Sequence, residues 1–154
     1  MSTTEEKKKT VITFGTYDLL HIGHVNVLLR SRALGDRLVV GVSSDAFNFS
    51  KKQKYPVYNE NDRMKIAHSI KGVDEVFLEE SMALKREYIL KYKADIMVMG
   101  DDWEGKFDEF NDICQVIYLP RTKDISTTDT LSKIKTTATP EPVAASTEAS
   151  ETTA

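Results

Sequence analysis

The 154-residue sequence has a single cysteine, no long apolar run and no excess of positive charge. The lone Cys114 rules out an internal disulfide framework, and its place in the apolar run 113–119 predicts a buried structural thiol. No apolar run approaches the roughly 20 residues of a membrane-spanning helix. The N-terminal residues lack the apolar stretch of a signal peptide. We therefore expect a cytoplasmic protein without a membrane partner.

The charge balance narrows the possible partners further. The formal net charge is −3, and three glutamates lie in the stretch 136–154, which has no Lys or Arg. Without those glutamates the chain carries 21 basic and 21 acidic residues. Nucleic-acid-binding domains usually carry a basic excess. We therefore expect no nucleic-acid partner, while a local basic pocket for phosphate stays compatible with this balance.

The two ends of the chain differ in composition from its middle. Residues 1–9 are polar and charged, and residues 136–154 contain no aromatic residue and one large aliphatic residue, Val143. Such a stretch buries too little apolar surface to offset chain entropy. We predict one domain over residues 10–135, followed by a disordered low-complexity tail over residues 136–154.

Strand-like and helix-like segments alternate within the predicted domain. Short apolar runs predict strands at 11–14, 38–42, 73–78, 96–99 and 113–119. Apolar residues at helical spacing predict helices at 23–34, 61–70, 83–93 and 127–134. Since the strands show no polar alternation, we expect a parallel sheet covered on both faces. The predicted fold is α/β, a Rossmann-like three-layer sandwich with a five-stranded parallel sheet, whose ligands bind beyond the carboxyl ends of the strands.

Two of the three histidines lie directly after the first predicted strand. The segment reads Gly15-Thr-Tyr-Asp-Leu-Leu-His-Ile-Gly-His24 and opens the first predicted helix. Imidazoles three residues apart at a helix start face the same way, and Gly23 between them permits close approach of a ligand. A helix N-terminus also favours phosphate, so fixed donors there suit phosphoryl or nucleotidyl transfer.

The same two histidines have a structural interpretation. His21 and His24 could be ordinary capping or core residues. A metal site is less favoured, because no third ligand is evident nearby. We prefer the functional interpretation, because both histidines flank a glycine immediately after a strand.

Further polar residues follow the later strands. The run Ile125-Ser-Thr-Thr128 precedes a predicted helix and could bind phosphates or serve as a plain N-cap. Arg121 follows a strand and could clamp phosphate. The basic stretch 51–54 could be a mobile loop over a triphosphate or a solvated loop. Asp101 and Asp102 could bind Mg²⁺, recognise a base or start a turn.

Three blocks of sequence carry a resemblance to a known group: Gly15–His24, Val98–Asp108 and Tyr118–Thr128. They resemble the nucleotidyltransferase superfamily that includes cytidylyltransferases and class I aminoacyl-tRNA synthetases. The closer resemblance, over roughly residues 10–135, is to the bacterial glycerol-3-phosphate cytidylyltransferases. It implies an enzyme that joins Mg²⁺-bound CTP to a phosphorylated small alcohol and releases pyrophosphate. It also implies a homodimer and a place in cell-surface polysaccharide biosynthesis.

Two alternatives stay open beside glycerol 3-phosphate as the acceptor. One is another phosphorylated alcohol or amino alcohol, and the other is a nucleotide-binding regulatory protein with impaired catalysis.

The resemblance assigns roles to individual residues. It makes four residues catalytic, with the histidines on the CTP phosphates and the lysine bridging both substrates: His21, His24, Lys54 and Arg121. Lys51 and Lys52 are neighbouring candidates for the bridging role. The implied nucleotide-binding residues are Thr16, Tyr17, Gly23, Asp101, Arg121, Thr122, Ser126 and Thr127. The implied acceptor-binding residues are Lys54, Arg63 and Trp103.

The chain departs from the family pattern at Asp124, where the family has glycine. Glycine there suggests a positive φ or a close ligand approach, and Asp tolerates left-handed geometry better than most residues. A carboxylate beside a triphosphate would repel it unless the side chain points away.

Overall fold

Strands and helices alternate through residues 6–137, the part of the chain that the computed structural model describes. The strands are β1 (Thr10–Gly15), β2 (Arg37–Ser43), β3 (Glu75–Glu79), β4 (Ile96–Gly100) and β5 (Gln115–Leu119). The α-helices are α1 (Ile22–Ala33), α2 (Asp45–Lys52), α3 (Glu60–His68), α4 (Lys85–Lys91) and α5 (Thr127–Thr137). Short 3₁₀ turns occupy Met82–Leu84, Asp101–Trp103 and Asp108–Asp112.

The five strands form one parallel sheet in the order β3-β2-β1-β4-β5. Central β1 pairs with two strands, so Val11 lies opposite Leu38 on one side and Ile96 on the other. The order reverses between β1 and β4, and an open α/β sheet binds ligands at such a point. The predicted fold class is therefore confirmed.

Alternating strand residues build a hydrophobic core on each face of the sheet. On one face, Val11 packs in a cluster with Leu28 of α1 and Ala67 of α3. On the other face, Ile12 packs in a cluster with Ile89 of α4. The sheet is therefore covered by helices on both of its faces, as the unbroken apolar strands predict for a parallel sheet.

One glycine in the sheet allows aromatic rings to pack across it. A Cβ atom at Gly41 would lie 2.6 Å from the Phe14 ring and 2.7 Å from the Phe77 ring. These two rings meet edge to face, with centroids 5.9 Å apart. Any larger residue at position 41 would displace Phe14, which lines the cavity described below.

The sequence does not predict helix α2. It spans eight residues, and only Phe47 and Asn48 are buried in it. The Ser44 hydroxyl caps the helix by accepting the Phe47 N–H at 3.0 Å, and Gln53 ends it with a φ of 57°. A helix so short offers too few apolar repeats for its period to be recognised.

Two smaller expectations also differ from the structure. Helix α5 continues through Thr137, so the predicted domain boundary after residue 135 falls inside a helix. Residues 138–154, the rest of the predicted tail, lie outside the described residues. Cys114 is half-buried against the second core cluster rather than fully buried, and burial raises the pKa of its thiol.

No helix within residues 6–137 is long and apolar enough to cross a bilayer.

Candidate active site

A cavity of about 560 Å³ opens where β1 and β4 diverge, at the carboxyl ends of the strands. Its lining comes from separate stretches of chain. One group follows β1 and β2: residues 14–18, the start of α1, Asn48, Lys52 and residues 54–57. The other group follows β4 and β5: Gly100, Asp102, Arg121, Thr122, residues 125–128 and Leu131. This is the edge of the sheet where the sequence predicts the ligand.

His21 and His24 form a capping box at the start of α1. Nδ1 of His21 accepts the Gly23 N–H at 3.1 Å, and Nδ1 of His24 accepts the His21 N–H at 3.2 Å. The two rings stack with centroids 3.8 Å apart, and both line the cavity. A Cβ atom at Gly23 would lie 2.9 Å from the His21 ring, so this position accommodates only glycine without a shift.

The cap fixes the tautomer of both rings. Since Nδ1 of each accepts a hydrogen bond, the proton of each neutral imidazole is on Nε2. Burial and then the His21 ring lower the pKa of His24 from 6.5 to about 4, against an opposing effect of Asp18. Burial and the charge of Arg121 lower the pKa of His21. Near neutral pH the pair therefore presents two neutral Nε2–H donors.

The lysines after β2 separate into two groups. Lys52 and Lys54 line the cavity, whereas Lys51 lies over the Phe47 ring, 4.0 Å from its centroid. The geometry therefore favours Lys52 and Lys54 for a contact with a bound phosphate. Lys51, the third candidate for the bridging lysine, does not line the cavity.

Thr16 also lines the cavity, and a buried side chain holds its hydroxyl. The hydroxyl donates to Oδ1 of Asn48 at 2.8 Å, and Asn48 Nδ2 donates to the carbonyls of Ser43 and Ser44 at 3.1 and 2.9 Å. Both amide protons are thus used by carbonyls, so the orientation of the Asn48 amide is fixed.

On the opposite side of the cavity, Arg121 and Thr122 follow β5. Arg121 is exposed, and its Nη1 lies 3.9 Å from Oδ2 of Asp102. Asn26 Nδ2 donates to the Thr122 hydroxyl at 3.1 Å, and Arg30 Nη1 donates to the Pro120 carbonyl at 3.4 Å. Helix α1 thus contacts the segment that carries Arg121.

The start of α5 forms the third wall. The Ser126 hydroxyl accepts the Asp129 N–H at 3.0 Å, which is the geometry of an N-cap. The Thr127 hydroxyl donates to the Asp18 carbonyl at 2.9 Å and so connects this helix to the loop after β1. The N-cap interpretation of Ser126 is therefore confirmed. Phosphate binding stays a prediction that this geometry permits, because a capped helix N-terminus that faces a cavity favours an anion.

The cytidylyltransferase-like family model matches residues 12–133, which is most of the chain. The chain belongs to the cytidylyltransferase-like family. The glycerol-3-phosphate cytidylyltransferase of Bacillus subtilis (strain 168) is 51% identical over 120 residues, covering 78% of this chain and 92% of that protein. The enzyme of the same name from Staphylococcus aureus (strain NCTC 8325 / PS 47) is 48% identical, with 78% and 90% covered.

A solved structure shares the fold of this cytidylyltransferase-like chain. It is the lipopolysaccharide core biosynthesis protein from Thermoplasma volcanium GSS1, with a TM-score of 0.65 and 25% sequence identity. The match covers 76% of this chain and 100% of that one.

Three residues that the resemblance assigns to the site of this cytidylyltransferase-like chain lie outside the cavity wall. Arg63 is fully buried and donates to the carbonyls of Tyr58 and Thr16 and to the Asp45 carboxylate, at 2.8–2.9 Å. Trp103 packs against Phe107, with ring centroids 5.3 Å apart.

The third of these residues is Asp101, which begins a 3₁₀ turn, while its neighbour Asp102 lines the cavity. Arg63 contacts the cavity wall through the carbonyl of Thr16, and Asp102 rather than Asp101 lines the cavity. The ligand roles of Arg63, Trp103 and Asp101 stay predictions.

The structure answers the question that the departure at Asp124 raises. Its φ is 60°, so the position has the left-handed geometry that the family glycine suggests. Asp124 is exposed and does not line the cavity. Its carboxylate is therefore not part of the cavity wall.

The sequence interpretation missed several residues that shape the cytidylyltransferase-like site. Asp18 is buried and accepts the N–H groups of Val57 and Tyr58 at 2.7 and 3.0 Å, so it holds the loop that follows Lys54. Asp18 belongs to the quoted Gly15–His24 block, but nothing local predicts a partner 39 residues away.

A buried ion pair of Lys85 and Glu79 was also missed. The Lys85 ammonium lies 3.9 Å from the centroid of the Phe14 ring, which belongs to the second core cluster. The pair therefore supports an aromatic residue that lines the cavity.

The residues described offer no preformed metal centre. Within 6–137, no group of three or more His, Cys, Asp or Glu side chains is arranged to hold a metal ion. Asp102 is the exposed carboxylate on the cavity wall, whereas both oxygens of Asp18 accept backbone N–H groups. Mg²⁺ commonly binds one or two carboxylates together with substrate phosphates, so this lining fits an ion that arrives with a nucleotide.

Proposed function

We propose that this chain transfers CMP from CTP to sn-glycerol 3-phosphate, giving CDP-glycerol and pyrophosphate. The observation that carries the reaction class is the pair of neutral histidines whose Nδ1 atoms cap α1 and whose Nε2–H groups remain for a ligand. The choice of substrates rests on relatives 51% and 48% identical that bear this enzyme's name.

The proposed chemistry is a direct in-line displacement. A phosphate oxygen of the acceptor forms a bond to the α-phosphorus of CTP, and the bond from that phosphorus to the bridging oxygen of pyrophosphate breaks. No general base is needed, because a phosphate dianion carries no proton to remove near neutral pH. Catalysis then depends on positioning and on stabilising the charge that builds on the α-phosphate oxygens.

The Nε2–H groups of His21 and His24 donate to the α-phosphate oxygens. They are fixed before the reaction by the cap, so they need not reorganise as charge develops. The α5 N-terminus with Ser126 and the guanidinium of Arg121 bind the leaving phosphates. Asp102 would hold an Mg²⁺ ion bound to CTP, and that ion would supply neutralisation of the triphosphate charge.

The acceptor lies on the α2 side of the cavity. Lys52 and Lys54 are the cationic lining residues there, and a glycerol 3-phosphate dianion needs such a partner. The nucleoside lies on the β4–β5 side, beside Gly100 and Asp102. In this arrangement the acceptor phosphate meets the α-phosphate of CTP beside the histidine pair.

The assay is pyrophosphate release from Mg²⁺-CTP, with the product identified by mass. We expect turnover with glycerol 3-phosphate and much slower turnover with ethanolamine phosphate or choline phosphate, and with ATP, GTP or UTP. Protein with both His21→Ala and His24→Ala, purified in parallel, gives the background of contaminating enzymes. Faster turnover with an amino alcohol phosphate would select the alternative acceptor, and equal rates with ATP would refute the cytidylyl assignment.

A second candidate is a regulatory nucleotide-binding protein without turnover. Its support is Asp124, and this support is weak because Asp124 is exposed and is not a lining residue of the cavity. CTP binding without pyrophosphate release from any acceptor would nevertheless restore this candidate.

We also propose that the chain is a cytoplasmic homodimer that supplies CDP-glycerol for glycerol-phosphate polymers of the cell surface. Large apolar side chains are exposed around the loop after α2, including Phe49, Tyr55, Val57 and Tyr58. Exposed apolar patches are typical of protein interfaces. Light scattering on a size-exclusion column should give twice the chain mass, and the monomer mass would exclude the dimer.

A further inference from the structure

The segment after β5 has few hydrogen bonds to the rest of the fold. It runs from Pro120 to Asp124, and Arg121, Lys123 and Asp124 are exposed. Among the described residues, its hydrogen bonds to other elements come from Asn26 and Arg30. The ion pair of Arg121 with Asp102 is long and solvated, and such a pair stabilises little.

Both anchors project from one helix. Asn26 and Arg30 are four residues apart on α1, so they lie on the same face and meet the segment at Thr122 and Pro120. The first turn of that same helix carries His21 and His24. Helix α1 therefore holds the histidine pair and the Arg121 segment in one rigid body, on two sides of the cavity.

We propose that Asn26 is a positioning residue for the nucleotide half of the site, holding Arg121 and Thr122 beside His21. Asn26 does not line the cavity and acts through Thr122, which does. Arg30 supports the same segment one helical turn further along. No motif in the sequence marks Asn26, because its partner is 96 residues away along the chain. Of the measurements that test this role, only turnover depends on the proposed function.

The pKa of His21 reports the position of Arg121 in the protein without bound nucleotide. The charge of Arg121 contributes to the lowered pKa of His21. The other charged or titratable group against the His21 ring is His24, which stacks on it and stays neutral near pH 7. If Arg121 moves away from His21, the pKa of His21 therefore rises.

The test compares Asn26→Ala with wild type by NMR titration of the His21 ring and by CTP binding and turnover. Alanine favours helix more than asparagine does, so the variant should fold. We expect the pKa of His21 to rise toward its value in Arg121→Ala. We also expect KM and Kd for CTP to rise about 5- to 10-fold, as loss of one neutral hydrogen bond predicts, with KM for the acceptor unchanged.

Two further variants separate this role from a general effect on α1. Leu29→Ala changes an exposed residue of the same helix and should leave the pKa of His21 and KM for CTP as in wild type. Thr122→Val should raise KM for CTP, and adding Asn26→Ala to it should raise KM little further, because both act through one contact.

The outcomes keep the two proposals distinct. An unchanged pKa of His21 with a CTP Kd within twofold of wild type would overturn the role of Asn26. Full additivity of Asn26→Ala with Thr122→Val would do the same. A wild-type protein that binds CTP but releases no pyrophosphate would overturn the proposed function alone, since the titration and the binding measurement need no turnover.

Discussion

Replacing His24 by Asn, Gln or Ala should separate the two roles of its ring, which are helix capping through Nδ1 and hydrogen-bond donation from Nε2–H. Nδ1 accepts the His21 N–H at 3.2 Å and caps α1, while the ring also lines the cavity, where we propose that its Nε2–H donates to the α-phosphate of CTP. Asn places an acceptor near the position of Nδ1 and nothing near Nε2. Gln reaches the position of Nε2 with a donor and leaves the cap unmade. Ala removes both groups.

The expected magnitudes differ in two measurements. Loss of a capping acceptor destabilises by about 1 kcal/mol, which lowers Tm by about 2–4 °C for a domain of this size. Loss of one preorganised transition-state donor lowers kcat by about 10²–10³. His24→Asn should thus have a Tm near that of wild type and a strongly lowered kcat. His24→Gln should have a lowered Tm and a kcat that is lowered less. His24→Ala should have a lowered Tm and a strongly lowered kcat. CTP binding should weaken less than kcat falls in each variant.

The measurement is kcat by pyrophosphate release, CTP affinity by calorimetry and Tm by circular dichroism on the same preparations. Wild-type kcat in a well-folded His24→Asn protein would refute the donor role. Activity that falls in all three variants only in proportion to the folded fraction would show that the histidine is structural alone.

Three further predictions concern the pH dependence set by His24 and the roles of Asp124 and Arg63. The free energy of unfolding should fall as pH falls from about 6.5 to about 4, because the folded-state pKa of His24 is lowered to about 4 and the unfolded state binds that proton first. Urea unfolding at a series of pH values should show a smaller dependence of this free energy on pH in His24→Asn than in wild type. Asp124 has a φ of 60°; Asp124→Ala should destabilise by about 1 kcal/mol and Asp124→Gly by less, both with wild-type turnover, and a large loss of turnover would place the carboxylate in the site. Arg63→Ala should destabilise by about 3 kcal/mol or more, because it leaves Asp45 unpaired and two carbonyls without their donor; unchanged Tm with a raised acceptor KM would restore its role as a ligand.

The parts of the fold that the sequence predicts are those with a strong local signal. The strands are short unbroken runs of β-forming residues, and the two histidines lie beside a glycine where β1 ends. Helix α2 has no such signal, because its burial comes from the single pair Phe47 and Asn48. The last helix is predicted to end early because threonines favour a helix weakly, yet it continues to Thr137.

The site is less predictable where its geometry depends on distant partners. Arg63 sits in a matching family motif, but its bond to the Thr16 carbonyl spans 47 residues and buries the side chain below the cavity. The choice between Asp101 and Asp102 depends on the turn of a 3₁₀ helix, which turns adjacent side chains in different directions. Asn26 contacts Thr122, which follows β5, so its partner depends on the position of β5 in the sheet and not on the sequence around Asn26.

The reversal of strand order between β1 and β4 divides the cavity wall between two parts of the chain. Asn48, Lys52 and residues 54–57 line the α2 side of the cavity, and the lining residues after β4 form the other side. The loop 53–58 is exposed for most of its length and is anchored mainly through the Val57 and Tyr58 backbone, which any sequence supplies. We therefore expect that natural or engineered replacement of that loop changes the acceptor while the lining residues after β4 stay in place, so that a single scaffold can diversify its products one loop at a time.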